Sequence, residues 1–115
     1  MTQTIQTILD ESVGAFRFGE VELDVVRREV RRCGEPIQIT RTEFDLLCAF
    51  VRMQGVLLTR KQLLDQIRLQ VFITERGIDN FVMNLRKKLE PNPTQPQYFI
   101  TVRGNGYRFE SSRTF

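Results

Sequence analysis

The sequence contains no histidine and no tryptophan, and it has only two cysteines among its 115 residues. Without histidine the commonest general acid or base is missing, and Cys33 and Cys48 do not have the spacing of a structural zinc site. Cys48 has apolar neighbours, so we interpret it as a small buried hydrophobic residue. These absences argue against an enzyme and against a bound metal, and no motif indicates any other cofactor.

Long apolar runs are also missing, because no stretch of about 18 apolar residues occurs that could cross a membrane. The first twelve residues lack the basic start and apolar stretch of a signal peptide, so we expect a cytoplasmic protein with no membrane contact. Apolar residues still make up 41% of the chain, which is enough for one core. We interpret residues 1–14 as a tail or interdomain linker, 15–110 as one domain and 111–115 as a carboxy-terminal tail.

Positive charge is concentrated in the second half of the chain. Residues 1–58 carry seven Lys and Arg against nine Asp and Glu, whereas residues 59–115 carry ten against five. Such asymmetry suits a polyanionic partner that binds one side of the molecule. Two classes of function remain open: a nucleic-acid-binding domain, and a protein-interaction module that docks an acidic partner.

The first half of the domain changes its periodicity at Thr40. Residues 15–39 alternate between apolar and polar, which predicts a small antiparallel sheet of three or four strands. Thr40 and Glu43 then have capping-box spacing and predict a helix from about Arg41 to Met53. Thr59 and Gln62 repeat the signal and predict a shorter second helix.

Residues 69–75 alternate like a strand but form too short a segment to be assigned by periodicity alone. We interpret them as a loop with extended character. The loop either buries its apolar side chains or contacts another protein.

A third helix is predicted from about residue 75 to residue 90, where Pro91 ends it. One face is apolar, and the opposite face carries Arg76, Asn80, Met83 and Lys87, with Asn84 beside it. Residues 98–109 then alternate around Gly104-Asn105-Gly106, which predicts a hairpin. Arg103 lies at the tip of this hairpin.

Amide and guanidinium groups are the side chains that read base edges in the major groove of DNA. Asn80 and Asn84 could each hydrogen bond to an adenine, and Arg76 could reach a guanine or a phosphate. Arg86, Lys87 and Lys88 add cations near the end of the helix. An arginine at a glycine-rich turn, such as Arg103, could enter a minor groove.

Four segments of the chain resemble the OmpR/PhoB family of response regulators. Residues 39–47 and 58–64 are similar to the first two helix starts of that family. Residues 79–89 and 101–109 are similar to its recognition helix and its wing. The similarity covers about residues 15–110, nearly the whole predicted domain.

The resemblance implies an α+β fold: a winged helix-turn-helix with an amino-terminal four-stranded antiparallel sheet, three helices and a carboxy-terminal hairpin wing. It also implies sequence-specific binding of double-stranded promoter DNA for transcription regulation, as the output domain of a two-component response regulator. The helix at about 75–90 would read the major groove, and the wing at about 98–109 would lie at the minor groove. The resemblance further implies that the promoter sites are direct repeats and that two copies of the domain bind DNA as a head-to-tail dimer.

The resemblance also assigns candidate contact residues. The candidate DNA contacts are Arg76, Asn80, Met83, Asn84, Arg86, Lys87, Lys88, Thr101, Arg103 and Tyr107. The candidate contacts to RNA polymerase are Leu69, Gln70, Val71 and Phe72.

The chain departs from the family pattern at three places. Ile67-Arg68-Leu69 stands where a Trp-Gly pair is usual, Gly77 replaces a threonine or serine, and Asn84 replaces an arginine found in some relatives. We therefore expect a target sequence of its own. Too few residues precede the sheet for a receiver domain, so an excised effector domain and a free-standing regulator both remain open.

Overall fold

The computed structural model describes residues 15–67 and 73–111. Within these two segments ten elements follow one another. The first sheet comprises β1 (Ala15–Phe18), β2 (Val21–Asp24), β3 (Glu29–Arg32) and β4 (Glu35–Ile37). The remaining elements are α1 (Arg41–Arg52), β5 (Leu57–Leu58), α2 (Arg60–Gln66), α3 (Glu75–Leu89), β6 (Phe99–Val102) and β7 (Gly106–Phe109).

The first sheet is a four-stranded antiparallel meander in the order β1-β2-β3-β4. Residues along these strands alternate between the core and the outer side of the sheet. The buried residues are Phe18, Val21, Leu23 and Val30, whereas Arg17, Glu22 and Arg31 are less buried. The two-residue turn at Cys33 and Gly34 has positive φ at both positions, the geometry that a tight hairpin favours. The predicted sheet of residues 15–39 is confirmed.

Both predicted capping boxes are present at the starts of the helices. The Thr40 side chain caps α1 by accepting a hydrogen bond from the Glu43 backbone N–H. The Thr59 side chain caps α2 by accepting one from the Gln62 backbone N–H. In α3 the side chain of Thr74 caps the backbone N–H of Gly77 at 3.2 Å. Local sequence therefore determines where each helix begins.

The hairpin of residues 99–109 is joined by a short third strand that the sequence did not predict. Leu57 and Leu58 in β5 pair with β7, which gives the order β5-β7-β6. A Cβ atom on Gly106 would lie 2.1 Å from the Leu58 carbonyl oxygen, and Gly106 has a φ of 152°. Only glycine permits this close pairing of β5 with β7.

An aromatic cluster joins the two sheets to α1. Phe18, Phe50, Phe99 and Phe109 are all at most 2% exposed, and their ring centroids lie 5.0 to 6.4 Å apart. Burial of each ring removes a large apolar surface from water. The two sheets and the three helices thus share one core, and the predicted winged helix-turn-helix fold is confirmed.

Candidate nucleic-acid interface

Helix α3 has one buried face and one exposed face. Ile78, Val82, Leu85 and Leu89 are at most 1% exposed and anchor the helix in the core. On the opposite side Arg76, Asn80, Met83 and Lys87 are exposed, and Asn84 lies half-buried beside them. Within residues 15–67 and 73–111, the side chains of Arg76, Asn80, Asn84 and Lys87 make no hydrogen bond. Their donors and acceptors are therefore available to a ligand.

The wing presents a further available cation. Arg103 is exposed in the turn between β6 and β7, and its guanidinium makes no hydrogen bond to the described residues. Thr101 is also exposed, and its hydroxyl oxygen accepts a hydrogen bond from Arg86 at 2.7 Å. The wing is thus tied to α3 at its base, while the arginine at its tip faces solvent.

Arg86 connects the helix to the wing. Its guanidinium donates to the Phe99 carbonyl oxygen through Nε at 3.0 Å and through Nη2 at 2.6 Å. The guanidinium carbon of Arg86, Cζ, lies 5.8 Å from the ring centroid of Tyr107. These bonds engage Nε and Nη2 of Arg86, while its Nη1 has no hydrogen-bond partner among the described residues, so Arg86 as a DNA contact stays a prediction.

Asp79 connects three elements at the amino-terminal end of α3. Its carboxylate accepts a hydrogen bond from Arg60 Nε on α2 at 2.7 Å, and a second one from the Tyr107 hydroxyl on β7. Burial raises the pKa of Asp79, but the hydrogen bonds from Tyr107 and Arg60 outweigh it, so the pKa lies below its usual range. We call Arg60, Asp79 and Tyr107 the Asp79 triad.

Tyr107 is 5% exposed and donates its hydroxyl proton into this triad. Burial, followed by the hydrogen bond to Asp79, raises the pKa of Tyr107, so the phenol stays protonated as a donor. This hydrogen bond holds the wing against α2 and α3, and the contact of Tyr107 with DNA stays a prediction.

Lys88 points to the opposite flank of the helix, where it meets Glu43 of α1. Lys88 Nζ lies 2.6 Å from Glu43 Oε1, and Glu43 is 3% exposed. Burial raises the pKa of Glu43, but hydrogen bonds from Lys88 and Thr40 lower it by more. The ammonium group of Lys88 thus compensates a buried carboxylate, and the contact of Lys88 with DNA stays a prediction.

Glu90 closes the carboxy-terminal end of α3. Its carboxylate is fully buried and accepts three backbone N–H groups, from Gln97, Tyr98 and Phe99, at 2.8 to 2.9 Å. These bonds hold the start of β6 against the helix end. Glu90 is not among the predicted site residues, and the only signal for it in the sequence is a lone carboxylate directly before Pro91.

No group of residues able to hold a metal ion is present in the part of the chain that the structure describes. Across the same residues, no helix combines the length and apolar character that a membrane span requires.

Comparison with known proteins identifies the family. Residues 34–109 match the family model described as "Transcriptional regulatory protein, C terminal". The chain belongs to this OmpR/PhoB-type family. It is 42% identical over 98 residues to the transcriptional regulatory protein AruR of Pseudomonas aeruginosa, a match that covers 84% of this chain and 40% of that protein.

Two solved structures of the family have the same fold. The response regulator DrrB of Thermotoga maritima, an OmpR/PhoB homologue, matches with a TM-score of 0.77 and 27% identity over 92% of this chain and 49% of that one. The DNA-binding domain of Klebsiella pneumoniae RstA, in complex with the RstA box, matches with a TM-score of 0.74 and 32% identity. This match covers 85% of this chain and 98% of the RstA chain. The chain spans about two fifths of the length of the curated relatives it matches.

Membership of this family confirms the predicted resemblance, and the family is one of DNA-binding transcriptional regulators and not of enzymes. The predicted polymerase contacts, Leu69, Gln70, Val71 and Phe72, lie outside the described residues. So does the predicted tail of residues 1–14, and the predicted tail of residues 111–115 apart from Ser111.

Proposed function

We propose that this domain binds double-stranded DNA in a sequence-specific manner and regulates transcription as the output domain of a response regulator. The observation that carries the proposal is the exposed face of α3, whose amides and cations make no hydrogen bond to the described residues. The buried face and the Asp79 triad hold that helix rigidly, so the polar groups are positioned before DNA arrives.

The proposed contacts form two groups. On α3 the exposed face supplies Asn80, Met83 and Asn84 to base edges, and Arg76 and Lys87 to bases or phosphates. On the wing, Arg103 enters the minor groove and Thr101 lies beside it. Arg86, Lys88 and Tyr107 position the helix and the wing through their contacts within the domain, and they remain candidate DNA contacts.

The related RstA domain was solved in complex with the RstA box, and AdeR, another response regulator, was solved with an intercistronic region. These complexes support duplex DNA as the ligand of this chain. We extend the proposal to direct-repeat promoter sites, a head-to-tail dimer on DNA, contact to RNA polymerase through residues 69–72, and a cytoplasmic location.

The proposal is tested by selecting duplexes from a random library with the full chain. We expect one enriched motif, because amides in the major groove distinguish base pairs. Retention of duplexes without any enriched motif would contradict sequence-specific binding and favour a basic surface that docks an acidic protein partner.

Asn84→Ala tests base reading at a single position. We expect the variant to lose preference at one base pair of the selected motif and to bind the best site more weakly by about 1 to 3 kcal/mol. Fluorescence anisotropy with a set of single-base variants of the duplex measures both effects. The control is Gln38→Ala, an exposed amide beyond β4, which should leave every affinity unchanged. Equal losses on every duplex for Asn84→Ala would remove Asn84 from the base-reading set.

A further inference from the structure

Met83 is an exposed apolar side chain in the middle of the polar face of α3. Four large apolar residues are strongly exposed in the described part of the chain, and Met83 is 51% exposed. Val26 lies in the β2–β3 loop, and Val56 and Leu57 lie at β5. Met83 alone among these four belongs to the proposed DNA-reading surface.

The core does not require Met83. The apolar stripe of α3 is complete without it, because Ile78, Val82, Leu85 and Leu89 are already buried. Met83 follows Asn80 by three residues and precedes Lys87 by four, so it lies between them on the helix surface. When Asn80 reaches a base edge, the Met83 side chain is brought into the groove beside it.

The chemistry of the major groove limits what Met83 can face there. Most of each base edge consists of hydrogen-bond donors and acceptors, which a thioether side chain would leave unpaired at a cost. The C5-methyl group of thymine is the apolar group that the major groove offers. A flexible and polarizable methionine packs readily against such a methyl group.

We propose that Met83 is a specificity-determining residue that packs against a thymine C5-methyl group in the bound duplex. The inference rests on the proposed function and names part of its target: at least one thymine within reach of the centre of α3. Asn80 and Asn84, which flank Met83, suit adjacent adenines, so the motif should contain A·T pairs at this point.

The test replaces single thymines in the selected duplex by deoxyuridine, which lacks only the methyl group. For the unmodified full chain, we expect one or two positions at which dT→dU weakens binding by about three- to five-fold, the effect of one buried methyl group. In Met83→Ala the same replacement should change affinity by less than about 1.5-fold. Met83→Leu, which keeps an apolar side chain, should restore most of the dT preference.

A matched control is Val26→Ala, which shortens a similarly exposed apolar side chain in the β2–β3 loop. This variant should keep the full dT preference. If every dT→dU replacement is neutral for the unmodified chain, or if the penalty persists in Met83→Ala, the assignment of Met83 is overturned while DNA binding stands. If selection enriches no motif, the proposed function is overturned and this inference falls with it.

Discussion

Gly106 determines how closely the wing approaches the helix-turn-helix. Because a Cβ atom there would meet the Leu58 carbonyl at 2.1 Å and φ is 152°, Gly106→Ala must push β5 away from β7. We expect a loss of more than about 2 kcal/mol in the free energy of unfolding. Gly104→Ala is the control, since Gly104 has positive φ but open space around it, and it should cost about 1 kcal/mol. Urea unfolding measures both, and equal losses would contradict the role of close approach.

Glu43 couples stability to pH. Its pKa is lowered in the folded protein, so its contribution to stability is fully present above the ordinary glutamate pKa and is lost as pH falls through the lowered value. At neutral pH we expect Glu43→Gln to reduce the free energy of unfolding by about 1 to 2 kcal/mol. The difference in the free energy of unfolding between Glu43→Gln and the unmodified chain should become smaller as pH falls below about 4.

The control for this pH dependence is Glu22→Gln. Glu22 pairs with Arg17 at 3.0 Å in an exposed pair, which contributes little to stability. Urea titrations from neutral to acidic pH measure the difference between each variant and the unmodified chain. A difference that stays constant down to strongly acidic pH would show that the ionised Glu43 carboxylate does not stabilise the fold.

At the scale of elements, the hydrogen bonds of the Asp79 triad join α2, α3 and the wing. Asp79→Ala and Tyr107→Phe each remove one side of the same hydrogen bond, so a double-mutant cycle should give a coupling of about 1 kcal/mol in unfolding. Tyr107→Phe should also weaken DNA binding, because the wing loses its fixed position. The Arg17 and Glu22 pair is the control and should couple by less than about 0.5 kcal/mol. Additive losses at Asp79 and Tyr107 would contradict the triad.

Most elements could be predicted because local signals mark them. Thr40 with Glu43 and Thr59 with Gln62 determine two helix starts through capping boxes, and both are present in the structure. β5 could not be predicted, because a strand of two residues with Leu57 exposed and Leu58 buried has no measurable period. Its existence depends on pairing with β7, about fifty residues later in the chain.

Candidate site residues could be predicted only in part. Helical periodicity correctly placed Arg76, Asn80, Met83 and Lys87 on the exposed face. It could not show that Arg86 and Lys88 are engaged by other elements, because their partners are the Phe99 carbonyl and Glu43, which are distant in sequence. The sequence did contain a signal for the Asp79 triad. A carboxylate on a helix that is proposed to bind DNA needs cationic or hydroxyl partners within the domain.

At the scale of the whole molecule, the net charge of +3 understates the asymmetry of the surface. The outward side of the first sheet mixes signs, as in the exposed pair of Arg17 and Glu22. The exposed face of α3 and the tip of the wing instead present Arg76, Lys87 and Arg103 without described partners. Long-range attraction should therefore bring DNA to the helix and wing rather than to the sheet.

Which surface meets DNA is tested most directly by nuclear magnetic resonance. Isotope-labelled full chain is titrated with the selected duplex, and backbone and side-chain signals are followed. We expect the largest shifts at Arg76, Asn80, Met83, Lys87 and Arg103, and nearly unchanged signals at Glu22 and Arg31 on the first sheet. Largest shifts on the first sheet, with the signals of α3 and the wing unmoved, would contradict it.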